Sequence, residues 1–120
     1  MTHDVAPLRI FYLEDNPLII FHVEAMIEDL GHIFAGSADS FSELKQIINA
    51  HEIDGALVDI DLADGRTGPT AAAWLREKGI PVLFVTGQET IAAEYGAALG
   101  LVRKPVAAAD LEDKLELFRR

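Results

Sequence analysis

The stretch Asp54-Gly-Ala-Leu-Val-Asp-Ile-Asp-Leu-Ala-Asp-Gly65 decides the predicted fold, because it joins a buried strand to a row of acidic residues. Residues 56–58 are apolar and prone to β-structure, which predicts a short strand inside a sheet. The strand ends at Asp59, and Asp61 and Asp64 follow before the chain turns. Like charges at the rim of a sheet are unfavourable unless a cation, a proton or a phosphate-handling role compensates them. The stretch therefore predicts a functional site at the end of a buried strand.

Length and composition favour one soluble domain spanning residues 1–120. Half of the 120 residues are hydrophobic, which suffices for a single core and argues against disorder. The 20 acidic residues exceed the 10 basic ones, and the net charge of −10 opposes nucleic acid and anionic lipid as direct partners. The sequence contains no cysteine, no membrane-spanning run and no signal peptide pattern. We therefore expect a cytoplasmic protein that binds cations or basic protein surfaces.

The rest of the chain alternates strand-like and helix-like segments. The expected strands are 8–13, 33–36, 56–58, 81–85 and 99–102, and the expected helices are 17–30, 40–50, 69–78, 88–98 and 107–118. Asn16 before Pro17 is a favourable helix start, and Ser40 with Glu43 has the pattern of a capping box. Five strand-helix units predict an α/β domain with one doubly wound, parallel, five-stranded sheet.

A parallel sheet brings polar side chains from distant parts of the chain to one edge. Residues just past the carboxyl ends of the strands share that edge, where open α/β sheets bind ligands. The residues in these positions are Glu14, Asp15, Asp59, Asp61, Thr86 and Lys104. Carboxylates can hold Mg²⁺, whereas a lysine and a hydroxyl can bind phosphate oxygens. The edge therefore has the groups that phosphoryl transfer requires.

Four short motifs, in order on successive strand ends, resemble the receiver domain of two-component response regulators. They are Glu14-Asp15, Leu57-Val-Asp-Ile-Asp61, Val85-Thr-Gly87 and Lys104-Pro105. Each motif alone is weak, but the ordered set is specific, and the resemblance covers essentially the whole chain. It implies the flavodoxin-like (βα)5 receiver fold.

The resemblance also implies a phosphorylation site with a metal. Asp59 would be the phospho-acceptor, taking its phosphoryl group from a histidine of a sensor histidine kinase or a phosphotransfer protein. Glu14, Asp15 and Asp59 would hold Mg²⁺, and the backbone carbonyl of Asp61 would supply a further ligand. Such a domain supports its own phosphorylation and slow dephosphorylation, but it is a signalling domain and not an enzyme in the usual sense.

The remaining motif residues, Thr86 and Lys104, are expected to bind the phosphoryl group and to respond to it. By the resemblance, Lys104 pairs with the Asp59 carboxylate and then with the phosphoryl oxygens, and the Thr86 hydroxyl moves towards them. The Lys104-Pro105 peptide is expected to be cis. The phosphorylated state would change binding to a downstream protein. Few residues follow Lys104-Pro105, so we expect either a stand-alone receiver or a piece of a larger protein, as a monomer or weak dimer.

The sequence departs from the common receiver pattern around its fourth strand-helix unit. Many receivers have Tyr or Phe three residues before the lysine, whereas this chain has Leu101. The interval from Asp59 to Lys104 is also shorter than in common members. Phe84-Val-Thr-Gly87 resembles the signature of the FAT GUY subgroup of single-domain receivers, which also lack the aromatic residue. In such a protein, reordering of 88–98 would report phosphorylation.

Two alternative functions fit some of these residues. Asp59-Ile-Asp61 also matches the Asp-x-Asp motif of haloacid-dehalogenase-like phosphatases, in which the first Asp is the nucleophile and the second is the acid/base. Against a small phosphatase of this kind, the motif falls on the third strand instead of the first. The third possibility is a structural dimerisation module of the same fold that is not phosphorylated. Mg²⁺ binding that depends on Asp15 or Asp59 separates the receiver from that module.

Other polar and aromatic residues are interpreted as structural. Asp64 is expected to shape the turn after the third strand, because Asp is a common turn former. The four histidines show no metal-ligand spacing and are interpreted as surface or helix residues. Trp74 is expected to be a partly buried residue that packs a helix onto the core.

Overall fold

Five parallel strands form one sheet in the computed structural model of the chain, which describes residues 6–87 and 96–119. They are β1 (Arg9–Leu13), β2 (Ile33–Ala38), β3 (Gly55–Val58), β4 (Val82–Thr86) and β5 (Gly100–Arg103). Their order across the sheet is β2-β1-β3-β4-β5, which is the doubly wound order of flavodoxin-like folds. The predicted α/β fold with a five-stranded parallel sheet is therefore confirmed.

Four α-helices in the described part of the chain cover the sheet. They are α1 (Pro17–Asp29), α2 (Phe41–Ile47), α3 (Gly68–Glu77) and α4 (Ala108–Leu115), with 3-10 turns at Ile48–Ala50 and Glu116–Arg119. Two predicted helix starts are capped as expected. The Asn16 side chain accepts from the Leu18 N–H at 3.0 Å, and Ser40 Oγ accepts from the Glu43 N–H at 3.0 Å. These caps fix where α1 and α2 leave the sheet edge.

The strand side chains alternate between two cores, one on each face of the sheet. On one face Phe11 packs in a cluster with Leu75 and other residues of α2 and α3. On the other face Ile10 packs in a cluster with Ile27 of α1 and Leu111 of α4. Because helices cover both faces, polar groups at the strand ends are confined to the rim of the sheet.

Several element boundaries differ from the predictions. β2 continues to Ala38 instead of ending at Gly36, because its pairing with β1 resumes at Gly36 after a one-residue shift of register and runs on to Leu13 and Ala38. Gly36 has a φ of 147°, which glycine adopts without strain. The helix predicted at 40–50 changes to a 3-10 turn after Ile47, and the last helix does so after Leu115. Such tightening is usual in a final helical turn.

Most of the segment predicted as a helix at 88–98 lies outside the described residues, which resume at residue 96. Residues 96–99 form a turn that leads into β5. β5 runs from Gly100 to Arg103, one residue later at each end than the predicted strand. In the described residues, every helix is too short or too polar to cross a membrane.

Trp74 packs α3 against α2, which confirms its predicted structural role. It is half-buried, and its ring meets Phe41 edge-on at 5.8 Å between centroids. The Lys78 ammonium lies 4.5 Å from the centre of the Trp74 ring. This contact adds a modest cation–π attraction on the solvent side.

Two of the histidines predicted as surface or helix residues are partly buried in the structure. His22 is exposed on α1, but His32 and His51 are half-buried. His32 Nδ1 accepts a hydrogen bond from the Leu8 N–H at 3.0 Å, so the start of β1 is tied to the turn before β2. His51 packs edge-on against Phe11 at 5.4 Å. His3 lies outside the described residues.

Candidate functional site

Three backbone hydrogen bonds at the ends of the strands position the polar edge. The Glu14 N–H donates to the Ala38 carbonyl at 3.0 Å, and the Asp59 N–H donates to the Leu13 carbonyl at 3.0 Å. The Lys104 N–H donates to the Thr86 carbonyl at 3.2 Å. These bonds extend the parallel ladders past the strand ends. The backbones of Glu14, Asp59 and Lys104 are therefore each fixed by a hydrogen bond to a neighbouring strand end.

The Lys104 ammonium lies between two buried carboxylates from other strands. Its Nζ donates to Glu14 Oε1 at 2.6 Å and to Asp59 Oδ2 at 2.8 Å. The lysine is 90 residues from Glu14 and 45 residues from Asp59 along the chain. The predicted convergence of these three side chains at one edge is thus found in the structure. The paired charges raise the pKa of Lys104 although burial opposes this, so the amine stays protonated.

Glu14 is the better stabilised of the two carboxylates. Its Oε1 also accepts from the Tyr12 hydroxyl at 3.1 Å, and its Oε2 accepts from the Asn16 N–H at 3.1 Å. Burial alone would raise the pKa of Glu14, but Lys104, Asn16 and Tyr12 outweigh burial and lower it. Glu14 is therefore an ionised carboxylate although only 1% of it is exposed.

Tyr12 is a site residue that the sequence interpretation missed. Burial and the neighbouring Glu14 charge raise the pKa of its phenol, so the hydroxyl remains a donor. A sequence signal did exist. Tyr12 precedes Glu14 by two positions at the end of a strand, and residues two apart on a strand project from the same face.

Asp59 is less fully compensated than Glu14. Its Oδ1 accepts from the Ile60 N–H at 2.7 Å, and its Oδ2 accepts from Lys104. Burial raises the pKa of Asp59 to about 6, and the Glu14 charge adds to that effect, while Lys104 and the Ile60 N–H only partly offset it. At neutral pH Asp59 is mostly ionised, yet it carries an unrelieved desolvation cost.

Asp15 completes a cluster of three carboxylates. Glu14, Asp15 and Asp59 each place an oxygen within 4.8 Å of the others. Asp15 is exposed, and partial burial together with the hydrogen bonding and charge of Glu14 raises its pKa. Three carboxylates facing one ammonium leave an excess of negative charge. A hard divalent cation with oxygen ligands, such as Mg²⁺, fits this donor set.

The other two acids of the stretch after β3 point elsewhere. Asp61 is half-exposed, and its carboxylate accepts from Arg66 Nε at 2.8 Å and from Nη2 at 3.4 Å. Asp64 accepts from the Phe41 and Ser42 N–H groups at 3.3 and 3.2 Å and from the Thr67 hydroxyl at 2.5 Å. Asp64 therefore holds the start of α2, in keeping with its predicted structural role. The use of the Asp61 carbonyl as a metal ligand stays a prediction.

Thr86 is the last residue of β4, and Lys104 directly follows the adjacent strand β5. Thr86 is buried, with 2% of its surface exposed. The Lys104-Pro105 peptide is cis, as the receiver resemblance implied. Leu101, where many receivers have an aromatic residue, is half-buried and pairs in register with Phe84 of β4. The Leu101 side chain packs against the hydrophobic core, so an aliphatic residue takes the place of the aromatic one.

Gly68 brings the start of α3 into close contact with the backbone of Asp59 and Ile60. Its N–H donates to the Ile60 carbonyl at 3.0 Å, at the first residue of α3. A Cβ built on Gly68 would overlap the Asp59 carbonyl oxygen and would lie 2.7 Å from Ile60 Cα. Since backbone atoms cannot step aside as side chains do, only glycine lets α3 approach the end of β3 this closely.

Gly68→Ala should therefore destabilise the protein by roughly 1–3 kcal/mol or more, because the added methyl group overpacks against fixed backbone. Denaturant unfolding measures the change. Gly96→Ala is the matched control, since a Cβ there has no heavy atom within 4 Å. Equal stabilities of the two variants would contradict the close approach of α3 to Asp59.

Asp59→Asn should stabilise the metal-free protein at neutral and higher pH. The folded-state pKa of Asp59, about 6, lies above its ordinary value. The folded protein therefore binds the Asp59 proton more tightly than the unfolded chain does. This stabilises the folded state fully below the unfolded-state pKa, and the stabilisation is lost as the pH rises through about 6. The variant lacks this loss, so its free energy of unfolding should exceed that of the wild type by up to about 3 kcal/mol near pH 8. Urea titrations from about pH 5 to 8 check this, and a constant difference across that range would refute it.

Comparison with known proteins identifies the family. The model of the response regulator receiver domain matches residues 10–116. The phyllosphere-induced regulator PhyR of Methylorubrum extorquens is 34% identical over 107 residues, which are 86% of this chain and 40% of that protein. This chain thus spans well under half the length of that relative.

Solved structures agree with this comparison. The anti-anti-sigma factor PhyR from Bartonella quintana superposes with a TM-score of 0.85 at 28% identity, over 96% of this chain and 48% of that chain. The solution structure of the PhyR receiver domain from Erythrobacter litoralis gives 0.83 at 25% identity, over 95% and 91% of the two chains. The sheet order, the acidic edge and these matches agree, and the chain belongs to the response regulator receiver domain family of two-component signalling.

Proposed function

We propose that this receiver accepts a phosphoryl group on Asp59 from a histidine of a sensor histidine kinase or a phosphotransfer protein, and that phosphorylation changes its binding to a downstream protein. The observation that carries the proposal is the Lys104 ammonium, which hydrogen-bonds Asp59 and Glu14 at the buried edge of the sheet. A lysine in that position neutralises the nucleophile before transfer and the transferred group after it. A purely structural module has no need of this arrangement.

The chemistry is a direct transfer to an ionised carboxylate. A carboxylate oxygen of Asp59 forms a bond to phosphorus while the phosphorus–nitrogen bond to the donor histidine breaks. The electron pair of the broken bond stays on the imidazole nitrogen, which then takes up a proton from solvent. Asp59 is suited to this role because it is mostly ionised at neutral pH but poorly compensated where it lies. Positioning and charge neutralisation supply most of the catalysis in such transfers.

Glu14, Asp15 and Asp59 are the residues that would hold Mg²⁺, and the Asp61 carbonyl is the further predicted ligand. When bound, the ion would neutralise the oxygens of the transferring group. The three clustered carboxylates support this assignment. Asp15 contributes charge from the open side of the site, whereas Glu14 is fixed by Tyr12, Asn16 and Lys104.

The switch is proposed to run through the ends of β4 and β5. A phosphoryl group on Asp59 offers new acceptors to Lys104 and to the hydroxyl of Thr86, which ends the neighbouring strand. A cavity of about 620 Å³ lies beside Lys104 and is lined by Leu101, Arg103 and Lys114, among others. Movement of Lys104 therefore changes the wall of an open surface on the β5–α4 side. This surface is the proposed place where the phosphorylated state is read by a protein.

A protein is favoured over nucleic acid as the downstream partner. The chain has a net charge of −10, which repels polyanions and suits a basic protein surface. The similar protein from Bartonella quintana is described as an anti-anti-sigma factor, and about half of that protein matches this chain. We infer that the partner here is likewise a regulatory protein, in the cytoplasm.

The phosphatase alternative has less support. Its second catalytic Asp would be Asp61, whose carboxylate is held in an ion pair by Arg66. The Asp-x-Asp motif also follows β3 in the middle of the sheet. Members of the receiver family act as signalling domains, so steady turnover of small phosphoesters is not expected.

Incubation with acetyl phosphate and Mg²⁺ tests the proposal directly. The wild-type protein should gain the mass of one phosphoryl group, and the modification should be labile to hydroxylamine as an acyl phosphate is. Asp59→Asn should abolish incorporation, because it removes the nucleophile with little change in volume. Asp64→Asn, which removes an acid from the same loop but keeps a capping oxygen, should incorporate phosphate as the wild type does.

Two outcomes of this experiment would refute the assignment. Undiminished labelling of the Asp59→Asn protein would place the acceptor elsewhere. A wild-type protein that stays unmodified by acetyl phosphate and by every phosphorylated histidine donor tested would favour the structural module. Release of inorganic phosphate in large excess over protein would instead favour the phosphatase.

Mg²⁺ binding provides a separate test of the acidic cluster. Asp15→Asn should weaken Mg²⁺ binding by roughly tenfold or more, because it removes a ligand from a small donor set. Calorimetric titration with Mg²⁺ alone measures the affinity. Asp29→Asn changes the net charge equally at the far end of α1 and should leave the affinity unchanged. If Asp15→Asn and Asp29→Asn weakened Mg²⁺ binding equally, the ion would be attracted by the net negative charge of the protein and not by a specific set of ligands.

A further inference from the structure

A histidine ring ties the amino end of β1 to the turn before β2, at the opposite end of the strand from the acidic edge. The Leu8 N–H donates to His32 Nδ1 at 3.0 Å, and the Leu8 carbonyl accepts from the Ile33 N–H at 2.9 Å. Both backbone groups of Leu8 are therefore bonded by two consecutive residues. Leu8 is buried, with 6% of its surface exposed, so water replaces the ring nitrogen poorly as an acceptor.

The hydrogen bond to Leu8 requires a neutral imidazole. Nδ1 of His32 accepts only when it carries no proton, so the proton of the neutral ring lies on Nε2. A protonated imidazole donates from both nitrogens, and its Nδ1–H would then face the Leu8 N–H. Two donors repel each other, so protonation breaks this tie. Histidine ordinarily changes its charge near pH 6.5, where few other side chains titrate.

The surroundings of the ring favour its neutral form. Burial, followed by the positive charge of Arg119, lowers the pKa of His32, whereas Glu116 and Glu112 oppose the shift without cancelling it. Arg119 is held in place, because its Nη1 donates to the Ala6 carbonyl at 2.9 Å and its Nε contacts Glu116 Oε2 at 3.4 Å. A positive charge on His32 would therefore act against a fixed arginine.

The adjoining elements carry further charges. Glu28 and Asp29 lie at the end of α1, just before the turn that contains His32. Arg9 follows Leu8 on β1, and its guanidinium pairs with Glu52 at 3.7 Å. These charges can shift the pH at which the ring gains its proton. They do not change the requirement that Nδ1 be free of a proton to accept from Leu8.

The carboxyl end of β1 is held by different bonds. The Glu14 N–H donates to the Ala38 carbonyl, and the Leu13 carbonyl accepts from the Asp59 N–H, both at 3.0 Å. Neither bond involves a side chain, so neither depends on the charge of a histidine. Loss of the tie at Leu8 therefore leaves the acidic edge bonded.

We propose that His32 is a proton-operated latch: its neutral imidazole closes the amino end of β1 against the turn before β2, and protonation opens it. The inference concerns the end of the sheet remote from Asp59 and does not rest on the proposed phosphorylation.

The direction of the pH effect follows from the lowered pKa of His32. The unfolded chain binds the proton more tightly than the folded protein does. The stabilisation by the latch is therefore complete above the unfolded-state pKa, about 6.5, and is lost as the pH falls through the lower folded-state pKa. Asp59 has the opposite effect on stability, so a local measurement at Leu8 is needed to observe the latch.

Nuclear magnetic resonance tests the latch at both of its partners. Above about pH 7.5, the ¹⁵N shifts of the His32 ring should show a proton on Nε2 and none on Nδ1. Between about pH 7.5 and 5, the protection factor of the Leu8 amide, corrected for intrinsic exchange, should fall roughly two- to tenfold, the ratio that corresponds to one net hydrogen bond. The Glu14 amide should keep its protection over the same range.

Two substitutions separate the acceptor from its titration. His32→Asn places a side-chain oxygen near the position of Nδ1, where it can accept from Leu8 but does not titrate, so the Leu8 protection factor should not fall with pH. His32→Phe keeps a ring without an acceptor, and the Leu8 protection factor should be low at every pH. The wild-type and His32→Asn proteins share Asp59, so the difference between their free energies of unfolding isolates the contribution of the histidine.

His22→Asn is the matched control, because it removes a histidine from an exposed position on α1. This variant should keep the wild-type pH dependence at Leu8. The same pH dependence in the wild-type and His32→Asn proteins would overturn the inference. A neutral His32 ring with its proton on Nδ1 would overturn it as well.

Discussion

The Lys104 ammonium, hydrogen-bonded to Glu14 and Asp59 at once, is the interaction on which the polar edge of this protein depends. Two carboxylates buried in adjacent positions are unfavourable, because each loses its hydration and each repels the other. One cation shared between them offsets both costs. The same contact joins the ends of three strands that are far apart in sequence, so it exists only in the complete sheet.

The sharing is unequal, and this inequality suits the proposed chemistry. Glu14 also receives donors from Tyr12 and Asn16, and its pKa falls below the ordinary value. In the described part of the chain, Asp59 accepts from Lys104 and from the Ile60 N–H, and burial keeps its pKa high. Glu14 therefore stays ionised and is held in one position by its donors. Asp59 is the carboxylate whose free energy is lowered most by forming a bond to phosphorus or by accepting a cation.

The sequence predicted the sheet and the meeting of Glu14, Asp59 and Lys104, because the parallel arrangement alone brings strand ends to one edge. It did not predict which of the later acids join the site. Asp61 and Asp64 are the same residue type in one short loop, and their directions depend on the Leu62–Gly65 turn and on the cap of α2. Gly68 was missed for a similar reason, because its role comes from the contact of α3 with the end of β3, which residue type and spacing do not reveal. Tyr12 was missed although its spacing from Glu14 does place both side chains on one face.

The surroundings of Asp59 also limit where a phosphoryl group can exert force. On one side Ile60 is buried and Gly68 brings α3 against the backbone, leaving no space even for a methyl group. Close-packed cores transmit strain instead of absorbing it. On the other side lie Lys104 and the open cavity beside β5, which has space for a side chain to change position. We therefore propose that a group added to Asp59 acts towards β4 and β5, because the close approach of α3 leaves it no space on the other side.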